Sequence, residues 1–335
     1  MRIVTVEPKK CRPEKCGHEC YKYCPIVKSG KPEIIEISKK AVIDEELCIG
    51  CGICSKVCPF KAITVINLPE AVGTPVHRYG ENRFALFGLP IPGDSVGILG
   101  PNGTGKTTIL NIFAGKLLPN LAEEVNEWKT VVKKFSGSEI GGYLRRISKG
   151  ELKVSYKPQN ITGISKMKNK KVKTLLSKID ERKILAELTI KLGLTHTLER
   201  TIKQLSGGEL QRVAIAATLL KKADLYFFDE PGSFLDIFER LRVSRVIREY
   251  TEQVFVVEHD LVMLDYLVDN VHVTYGKSGS YGAVSMRKGV RVGINEFLDG
   301  FLKAENIRIR SEPLRFSRSS LSGASNQKLI SFTDL

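Results

Sequence analysis

The sequence lacks any apolar run long enough to cross a bilayer, and its first residues lack the long apolar stretch of a secretory leader. Tandem repeats are absent as well. Cysteine is absent after residue 58, so most of the chain has no residue for a disulfide or a catalytic thiol. These absences argue against a secreted or membrane-spanning protein. They predict a cytoplasmic protein with no membrane partner.

The composition is that of ordinary globular domains, with 42% hydrophobic and 27% charged residues among 335. The formal net charge of +15 favours a polyanionic partner such as nucleic acid. Residues 129–173 contain thirteen Lys or Arg but only two acidic residues, Glu139 and Glu151. We expect part of this stretch to contact a polyanion, although a solvated basic face would have the same composition.

Short apolar runs at residues 95–100, 224–229 and 254–258 are typical of buried parallel strands. Helical patterns lie between them, for example at 208–220. This alternation predicts a parallel sheet covered by helices. Residues 1–70 form a separate cysteine-rich unit, linked to the rest through 68–74. The serine-rich residues 317–325 are typical of a linker or a cut edge.

The eight cysteines form two runs that each end in Cys-Pro: Cys48-x2-Cys51-x2-Cys54-x3-Cys58 and Cys11-x4-Cys16-x3-Cys20-x3-Cys24. The first run matches the bacterial ferredoxin pattern for a [4Fe–4S] cluster, and in two-cluster ferredoxins the fourth cysteine ligates the other cluster. This predicts two clusters, one on Cys48, Cys51, Cys54 and Cys24, the other on Cys11, Cys16, Cys20 and Cys58. A pair of zinc sites is the alternative. A structural or recognition role is favoured over electron transfer, since no flavin or other redox partner site is evident.

A glycine-rich stretch follows the first strand-like run: Gly100-Pro101-Asn102-Gly103-Thr104-Gly105-Lys106-Thr107. It matches the P-loop pattern, whose backbone N–H groups and helix N-terminus bind phosphates. We therefore expect Asn102 through Thr108 to bind ATP. Lys106 should reach the β- and γ-phosphates, and Thr107 should hold Mg²⁺.

Two acidic residues end the second apolar run. Asp229 is placed to hold Mg²⁺, and Glu230 is placed to polarise the attacking water. A solvated strand end is the alternative interpretation.

Further motifs resemble those of ABC ATPases. Ser206, Gly207, Gly208 and Glu209 resemble the signature, which in that family closes the site of a second domain. The resemblance implies that Gln159 senses Mg²⁺ and the γ-phosphate, that Asp236 belongs to the D-loop and that His259 is the switch histidine. Tyr79 is placed where an aromatic would stack on adenine, with Phe84 as the alternative.

A ferredoxin-like head joined to a soluble ABC domain resembles the ABC-E ATPases, also called RNase L inhibitors. The resemblance covers residues 1 to about 315. It includes 281–284 and 293–300, which look like the hinge of that family. The implied fold is an α/β ABC-type P-loop domain with an N-terminal α+β two-cluster ferredoxin-like domain. The implied division is 1–70 for the head, 71–275 for the ATPase domain, 276–312 for the hinge and 313–335 for the possible start of a second ATPase domain.

The resemblance implies an ATPase that binds the small ribosomal subunit and its RNA and splits ribosomes after termination, with a release-factor-like partner. The family carries two ATPase domains, whereas this sequence has one P-loop and one signature. We therefore expect weak hydrolysis without a second domain. Gly232 also departs from the serine that is usual in the family. Two alternatives are a transporter ATPase subunit and an ATP-dependent redox or cluster-carrier protein.

Overall fold

The computed structural model describes residues 2–67, 73–123, 127–161 and 169–314. Its strands, β1 to β15 in chain order, are Arg2–Val6, Ile35–Ile37, Ala41–Ile43, Ile63–Asn67, His77–Arg78, Ala85–Phe87, Ser95–Leu99, Val154–Lys157, Leu225–Asp229, Val254–Val257, Asn270–Lys277, Tyr281–Val284, Lys288–Gly289, Phe301–Leu302 and Ile307–Arg308. Its α-helices, α1 to α12, are Glu19–Lys22, Pro25–Lys28, Ile53–Val57, Lys106–Phe113, Trp128–Lys134, Glu139–Ser148, Val172–Lys178, Leu185–Lys191, Gly207–Leu219, Ile237–Tyr250, Leu261–Leu267 and Val290–Asp299.

Residues 2–67, here called the iron–sulfur region, consist of short elements. β1 pairs with β4 in antiparallel register from Arg2↔Asn67 to Val6↔Ile63, and β2 and β3 form a second antiparallel pair. The helices α1, α2 and α3 are four to five residues long and bring Cys20, Cys24 and Cys54 near these strands. Four cysteines are part of the buried cluster of this region, which is otherwise built from Val, Ile and Ala side chains.

Residues 73–314, here called the ATPase region after the predicted P-loop, are built on a mixed sheet. Its strand order is β5-β6-β12-β11-β7-β10-β9-β8, with β13 paired to β11. The five strands from β11 to β8 are parallel. The predicted parallel sheet is therefore confirmed. Because β7, β10 and β9 are neighbours, the loops at their carboxyl ends lie side by side.

The sheet is covered on both faces, because alternate residues of each central strand point to opposite sides. In β10, Phe255 and Val257 pack in a cluster with residues of α4, α5 and α6, whereas Val254 and Val256 pack in a cluster with residues of α7 to α11. Helix α9 also covers β8. No helix within the described ranges has both the length and the apolar character needed to cross a membrane.

The predicted domain boundaries stay predictions, but the structure places several of the residues involved. The boundary at 275/276 falls inside β11, and the segment Tyr281–Val284 forms β12 between β11 and β6. Residues 293–300 lie in α12 and its C-cap, Gly300. The ion triad of Lys288 with Glu296 (3.1 Å) and Glu305 (3.0 Å) ties this helix to β13. Most of the link at 68–74 and nearly all of 313–335 lie outside the described residues.

Candidate nucleotide site and cysteine centre

The P-loop runs from the end of β7 at Leu99 to the start of α4 at Lys106. Gly103 and Gly105 have φ angles of +76° and +92°, which residues with a Cβ rarely adopt. These angles let the loop curl over the first turn of α4. The loop therefore presents its backbone N–H groups and a helix N-terminus to one small volume, as phosphate binding requires.

Lys106 is buried in this loop and bound to its carbonyls. Its Nζ donates to the oxygens of Gly100 and Pro101, both at 2.9 Å. Burial lowers the pKa of Lys106 to about 8, although the nearby Glu230 and Asp229 carboxylates act in the opposite direction. Bound phosphate would add a negative charge beside Lys106 and favour its charged form.

Thr107 lies beside the predicted metal carboxylate. Its Oγ1 donates to Asp229 Oδ2 at 3.0 Å, across 122 residues of sequence. Burial raises the pKa of Asp229, with a smaller contribution from the neighbouring Glu230 charge. A hydroxyl and a carboxylate at this spacing fit Mg²⁺, which takes one or two protein ligands and leaves other positions for substrate phosphates. Gln159, the third predicted ligand, instead contacts Glu230.

Glu230 stands at the centre of the candidate catalytic group. Its Oε1 accepts a hydrogen bond from Gln159 Nε2 at 2.7 Å and lies 3.5 Å from His259 Nε2. Its Oε2 accepts a hydrogen bond from Ser233 Oγ at 3.2 Å. The φ angle of Glu230 is +49°, in the left-handed region, which turns the chain sharply after β9. The structure thus brings together three residues that the sequence separates by up to 100 positions.

The residues predicted for ATP border one open cleft of about 380 Å³. Asn102, Gly103, Gly105, Lys106, Thr107 and Thr108 line it on the phosphate side, whereas Thr104 is fully buried beneath the loop. Tyr79 and Phe84 line the same cleft. Tyr79 is 49% exposed, and its hydroxyl is 3.0 Å from Thr108 Oγ1. Both aromatics are accessible to a base, so the choice between them stays a prediction.

The signature residues do not line this cleft. Ser206 is the N-cap of α9, and its side chain accepts a hydrogen bond from Glu209 N while Glu209 Oε2 accepts one from Ser206 N. Gly207 and Gly208 form the first turn of this helix. The predicted D-loop residue Asp236 caps α10, accepting a hydrogen bond from Glu239 N at 2.9 Å. Action of the signature on a second domain stays a prediction.

Two functional residues were missed by sequence reasoning. Lys157, counted above in the basic stretch, is only 1% exposed. Its Nζ donates to the carbonyl oxygens of Asp229 at 2.8 Å and Glu230 at 3.1 Å. Lys157 therefore holds the backbone that carries the two carboxylates, and it is too buried to contact a polyanion. Tyr156 donates its hydroxyl to Asp229 Oδ2 at 3.4 Å.

The cysteines of the two runs interleave in space. Burial raises the pKa of Cys20 to about 11, and the next cysteines that raise it are Cys58, Cys11 and Cys16. Burial likewise raises the pKa of the Cys48 thiol. The charges of the neighbouring Cys51 and Cys24 thiolates raise this pKa further. A small cavity of about 20 Å³ is lined by Cys24, Cys48, Cys51 and Cys54 together with apolar side chains. The neighbours of Cys20 thus include Cys58 from the other run, and those of Cys48 include Cys24 from the other run.

The surroundings of these thiols fit an iron–sulfur cluster. Three sulfurs accept backbone hydrogen bonds at 3.4 Å: Gly50 N to Cys48 Sγ, Ala62 N to Cys58 Sγ and Ala41 N to Cys11 Sγ. Such donors, with an apolar enclosure, suit cluster-bound thiolates.

Comparison with known protein families gives three matches. The model described as "ABC transporter" matches residues 91–233, and the "4Fe-4S binding domain" model matches residues 41–64. A third model, "Possible Fer4-like domain in RNase L inhibitor, RLI", matches residues 1–32.

Relatives match along nearly the whole chain. ABC transporter E family member 1 of Arabidopsis thaliana is 48% identical over 94% of this chain and 54% of its own length. An uncharacterized ABC transporter ATP-binding protein of Methanocaldococcus jannaschii is 49% identical over 98% of this chain and 56% of its own. The solved structure "Model of ribosome-bound archaeal Pelota and ABCE1" superposes with a TM-score of 0.92 at 49% identity, covering 98% of this chain and 57% of that one. The chain therefore spans about half the length of the curated relatives it matches.

Proposed function

Because the chain belongs to the ABC-E family of ATPases, with an ABC-type P-loop fold and an iron–sulfur domain of the 4Fe–4S type, we propose that it binds ATP in the P-loop cleft and hydrolyses it to ADP and phosphate. The observation that carries this proposal is the position of Glu230. Its carboxylate lies between Gln159 and His259 and follows directly after the buried Asp229.

Each residue of the cleft has a defined task in this proposal. Thr107 and Asp229 would hold Mg²⁺, which when bound supplies positive charge against the phosphate oxygens. Lys106 would leave its carbonyl partners and donate to the β- and γ-phosphates. Glu230 would orient the attacking water and accept its proton, while His259 and Gln159 hold the carboxylate toward the γ-phosphate.

We further propose two [4Fe–4S] clusters, ligated as the interleaved cysteine neighbourhoods suggest. Cys24, Cys48, Cys51 and Cys54 would hold one cluster, and Cys11, Cys16, Cys20 and Cys58 the other. Buried thiols with raised pKa values ionise poorly on their own, so metal binding would supply the charge that stabilises their thiolate form.

The proposed process is ribosome recycling in the cytoplasm. The superposed relative is described as ribosome-bound together with Pelota, which suggests a ribosome and a release-factor-like protein as partners. We propose that the small subunit and its RNA are the ribosomal contact. A second ABC ATPase domain would complete the site with its own signature, and hydrolysis by this chain alone would be weak.

The charge of the α5–α6 pair supports an RNA contact. Seven exposed cations lie on these helices or just after them: Lys129, Lys133, Lys134, Arg145, Arg146, Lys149 and Lys153. Only Lys149 forms an ion pair with another described residue, Glu151 at 3.6 Å. Unpaired lysines and arginines on one surface favour phosphate binding. Residues 162–168 of the same basic stretch lie outside the described ranges.

The alternatives receive less support. A transporter subunit would not account for the two iron–sulfur family matches at residues 1–32 and 41–64. The Methanocaldococcus jannaschii relative is similar over this region as well as over the ATPase region. A redox or cluster-carrier protein would not need the ATPase geometry around Glu230. Neither is favoured over the ribosome proposal.

Anaerobic co-sedimentation with small ribosomal subunits tests the proposal. We expect binding that needs a non-hydrolysable ATP analogue and a second ATPase domain, and that is lost in Lys106→Ala. No binding under any of these conditions, with both clusters present, would overturn the ribosome proposal. ATP hydrolysis that survives Glu230→Gln unchanged would overturn the assigned catalytic residue.

The RNA surface has its own test. Replacing Lys129, Lys133 and Lys134 by Gln should weaken binding and reduce the slope of log affinity against log salt by about 1 per lysine. Replacing Lys203, Lys221 and Lys222, which are exposed elsewhere, serves as the matched control. Equal effects of both triple variants would argue against a specific surface on α5 and α6.

A further inference from the structure

Glu258 joins two loops of the nucleotide site. This residue follows β10 and is 4% exposed. Its Oε2 accepts a hydrogen bond from Gly232 N at 2.8 Å, and its Oε1 accepts hydrogen bonds from His259 N at 2.8 Å and Asp260 N at 3.2 Å. A buried carboxylate with three backbone donors is well satisfied and firmly held. One side chain therefore ties the turn after Glu230 to the backbone of His259.

Arg240 makes a second connection between the same two loops. Its Nε donates to Gly232 O at 3.3 Å, and its Nη1 donates to Asp260 Oδ2 at 2.6 Å. Asp260 in turn caps α11. Both backbone groups of Gly232 are thus bound by side chains that also hold the corner carrying His259.

The close approach of Glu258 depends on the glycine at position 232. A Cβ built there would lie 2.9 Å from Glu258 Oε2 and 2.8 Å from Met263 Sδ. Real Cβ atoms do not approach neighbours so closely, so a side chain would force the carboxylate or Met263 to move. The glycine at this position therefore permits the tight contact between the two loops.

The loop that starts at Gly232 also lies beside the signature turn. The Cβ atom of Phe234 lies 3.6 Å from a Cβ built on Gly207, and Phe234 itself is largely exposed. Ser233 in the same loop donates to Glu230. A domain that docked on this surface would therefore press on the loop that Glu258 holds.

We propose that Glu258 is a positioning residue that couples the loop at 231–236 to the switch histidine His259. A displacement of Gly232 is transmitted through the carboxylate to the backbone of residues 259–260, and it moves the His259 imidazole relative to Glu230. Glu258 acts through His259 and touches no substrate. The inference rests on the proposed ATP hydrolysis at this site.

Glu258→Gln tests the coupling with little change in shape. The glutamine amide keeps one acceptor oxygen. Its NH2 group can only donate, so it leaves one of the backbone N–H groups without an acceptor. In single-turnover experiments with protein in excess, we expect hydrolysis to slow about 10- to 100-fold, with ATP affinity within about twofold. His259→Ala should also slow hydrolysis. The double variant should be no slower than His259→Ala alone, because both changes remove one function. Multiplicative losses would overturn the proposal.

Met263→Ala is the control for a general loss of stability. It removes buried packing next to Gly232 but leaves the three hydrogen bonds of Glu258 in place. We expect a lower melting temperature with a hydrolysis rate within about twofold of the wild type. Equal slowing by Met263→Ala and Glu258→Gln at equal stability would overturn the proposal. Glu258→Asp, which keeps the charge, replaces the Gln variant if that variant does not fold.

Hydrogen exchange measures the coupling without turnover. In the wild type, binding of a non-hydrolysable ATP analogue should change amide exchange in both 231–236 and 258–261. In Glu258→Gln, the response of 231–236 should remain while that of 258–261 is lost, and an unchanged response of 258–261 would overturn the inference. Absence of hydrolysis in the wild type would overturn the proposed function instead, so the two failures are distinguishable.

Discussion

The iron–sulfur region and the ATPase region build their buried cores in different ways. In residues 2–67, four of the eleven residues in the buried cluster are cysteines, and no α-helix exceeds five residues. In residues 73–314, apolar side chains cover both faces of a nine-stranded sheet, and the nucleotide-site residues are already hydrogen-bonded to one another. From this difference we expect the first region to depend on bound clusters for its stability, whereas the second region has an extensive apolar core of its own.

The two regions meet beside the nucleotide cleft. The side chain of Asn82, between Tyr79 and Phe84, accepts a hydrogen bond from Ile43 N at 2.7 Å and donates to Ile43 O at 2.8 Å. Arg78 pairs with Glu45 at 2.8 Å across the same contact. A polar junction therefore links the base side of the cleft to the iron–sulfur region.

The largest expected effect is the unfolding of the iron–sulfur region while the ATPase region stays folded. Cys54→Ser should abolish a cluster, because a buried serine cannot replace a thiolate ligand. Hydrogen exchange should then approach unfolded-chain rates in 2–67 but stay protected in β7, β9 and β10. The exposed neighbour Lys56→Ala is the control and should change neither region. Global unfolding in Cys54→Ser would break the comparison, because the ATPase region would then depend on the cluster.

Lys106→Ala should weaken ATP binding while leaving both regions folded, in contrast to Cys54→Ser. Removing charged hydrogen bonds to phosphate costs about 2–3 kcal/mol, which is about a 30- to 150-fold loss of ATP affinity. The melting temperature should not fall, since a buried ammonium group is removed. Titration calorimetry measures the ATP affinity and scanning calorimetry measures the melting temperature, with Lys134→Ala as the control for both. A large loss of stability would contradict a site built on a completed fold.

A smaller effect is expected at the junction. Asn82→Asp keeps the size and the left-handed backbone but loses the amide donor to Ile43 O. We expect the junction to lose about 1–3 kcal/mol, visible as faster hydrogen exchange at 41–43. ATP affinity should change little. Unchanged exchange at 41–43 would show that the other contacts hold the regions together without Asn82.

The smallest expected effect is on pH. Lys106 is half protonated near its pKa of about 8, and bound phosphate should raise that pKa. ATP binding at pH 8 should therefore take up about half a proton, and affinity should fall as the pH rises from 7 to 9. Calorimetry in buffers of different ionisation enthalpy measures the uptake. Lys106→Arg, which stays charged, should remove it, and uptake that persisted in this variant would have to come from another group.

Much of the fold and of the site could be read from the sequence. The three apolar runs became β7, β9 and β10, and the helical pattern at 208–220 became α9 within one residue. These features are local, because periodicity and glycine placement act over a few residues. The same holds for the P-loop, where Lys106 begins α4 as expected.

What the sequence could not reveal involves side chains brought together across long separations. Composition carries no information about burial, so the count of basic residues could not separate Lys157 from the exposed lysines around it. The pairing of β8 with β9 brings its Nζ to the carbonyl oxygens of Asp229 and Glu230. Glu258 likewise reads as an ordinary acid beside a motif histidine. Its contact with Gly232 spans 26 residues and arises from the sheet order.

The sequence by itself determined the chemistry: cysteine runs with metal-ligand spacing, a phosphate-binding loop and an acidic pair at the end of an apolar strand. These depend on spacing within one short segment, which the covalent chain specifies directly. The tertiary structure decided how the segments cooperate. It placed β10 between β7 and β9, interleaved the two cysteine runs and set Glu258 between Gly232 and His259, because such contacts depend on how distant segments pack around a shared core.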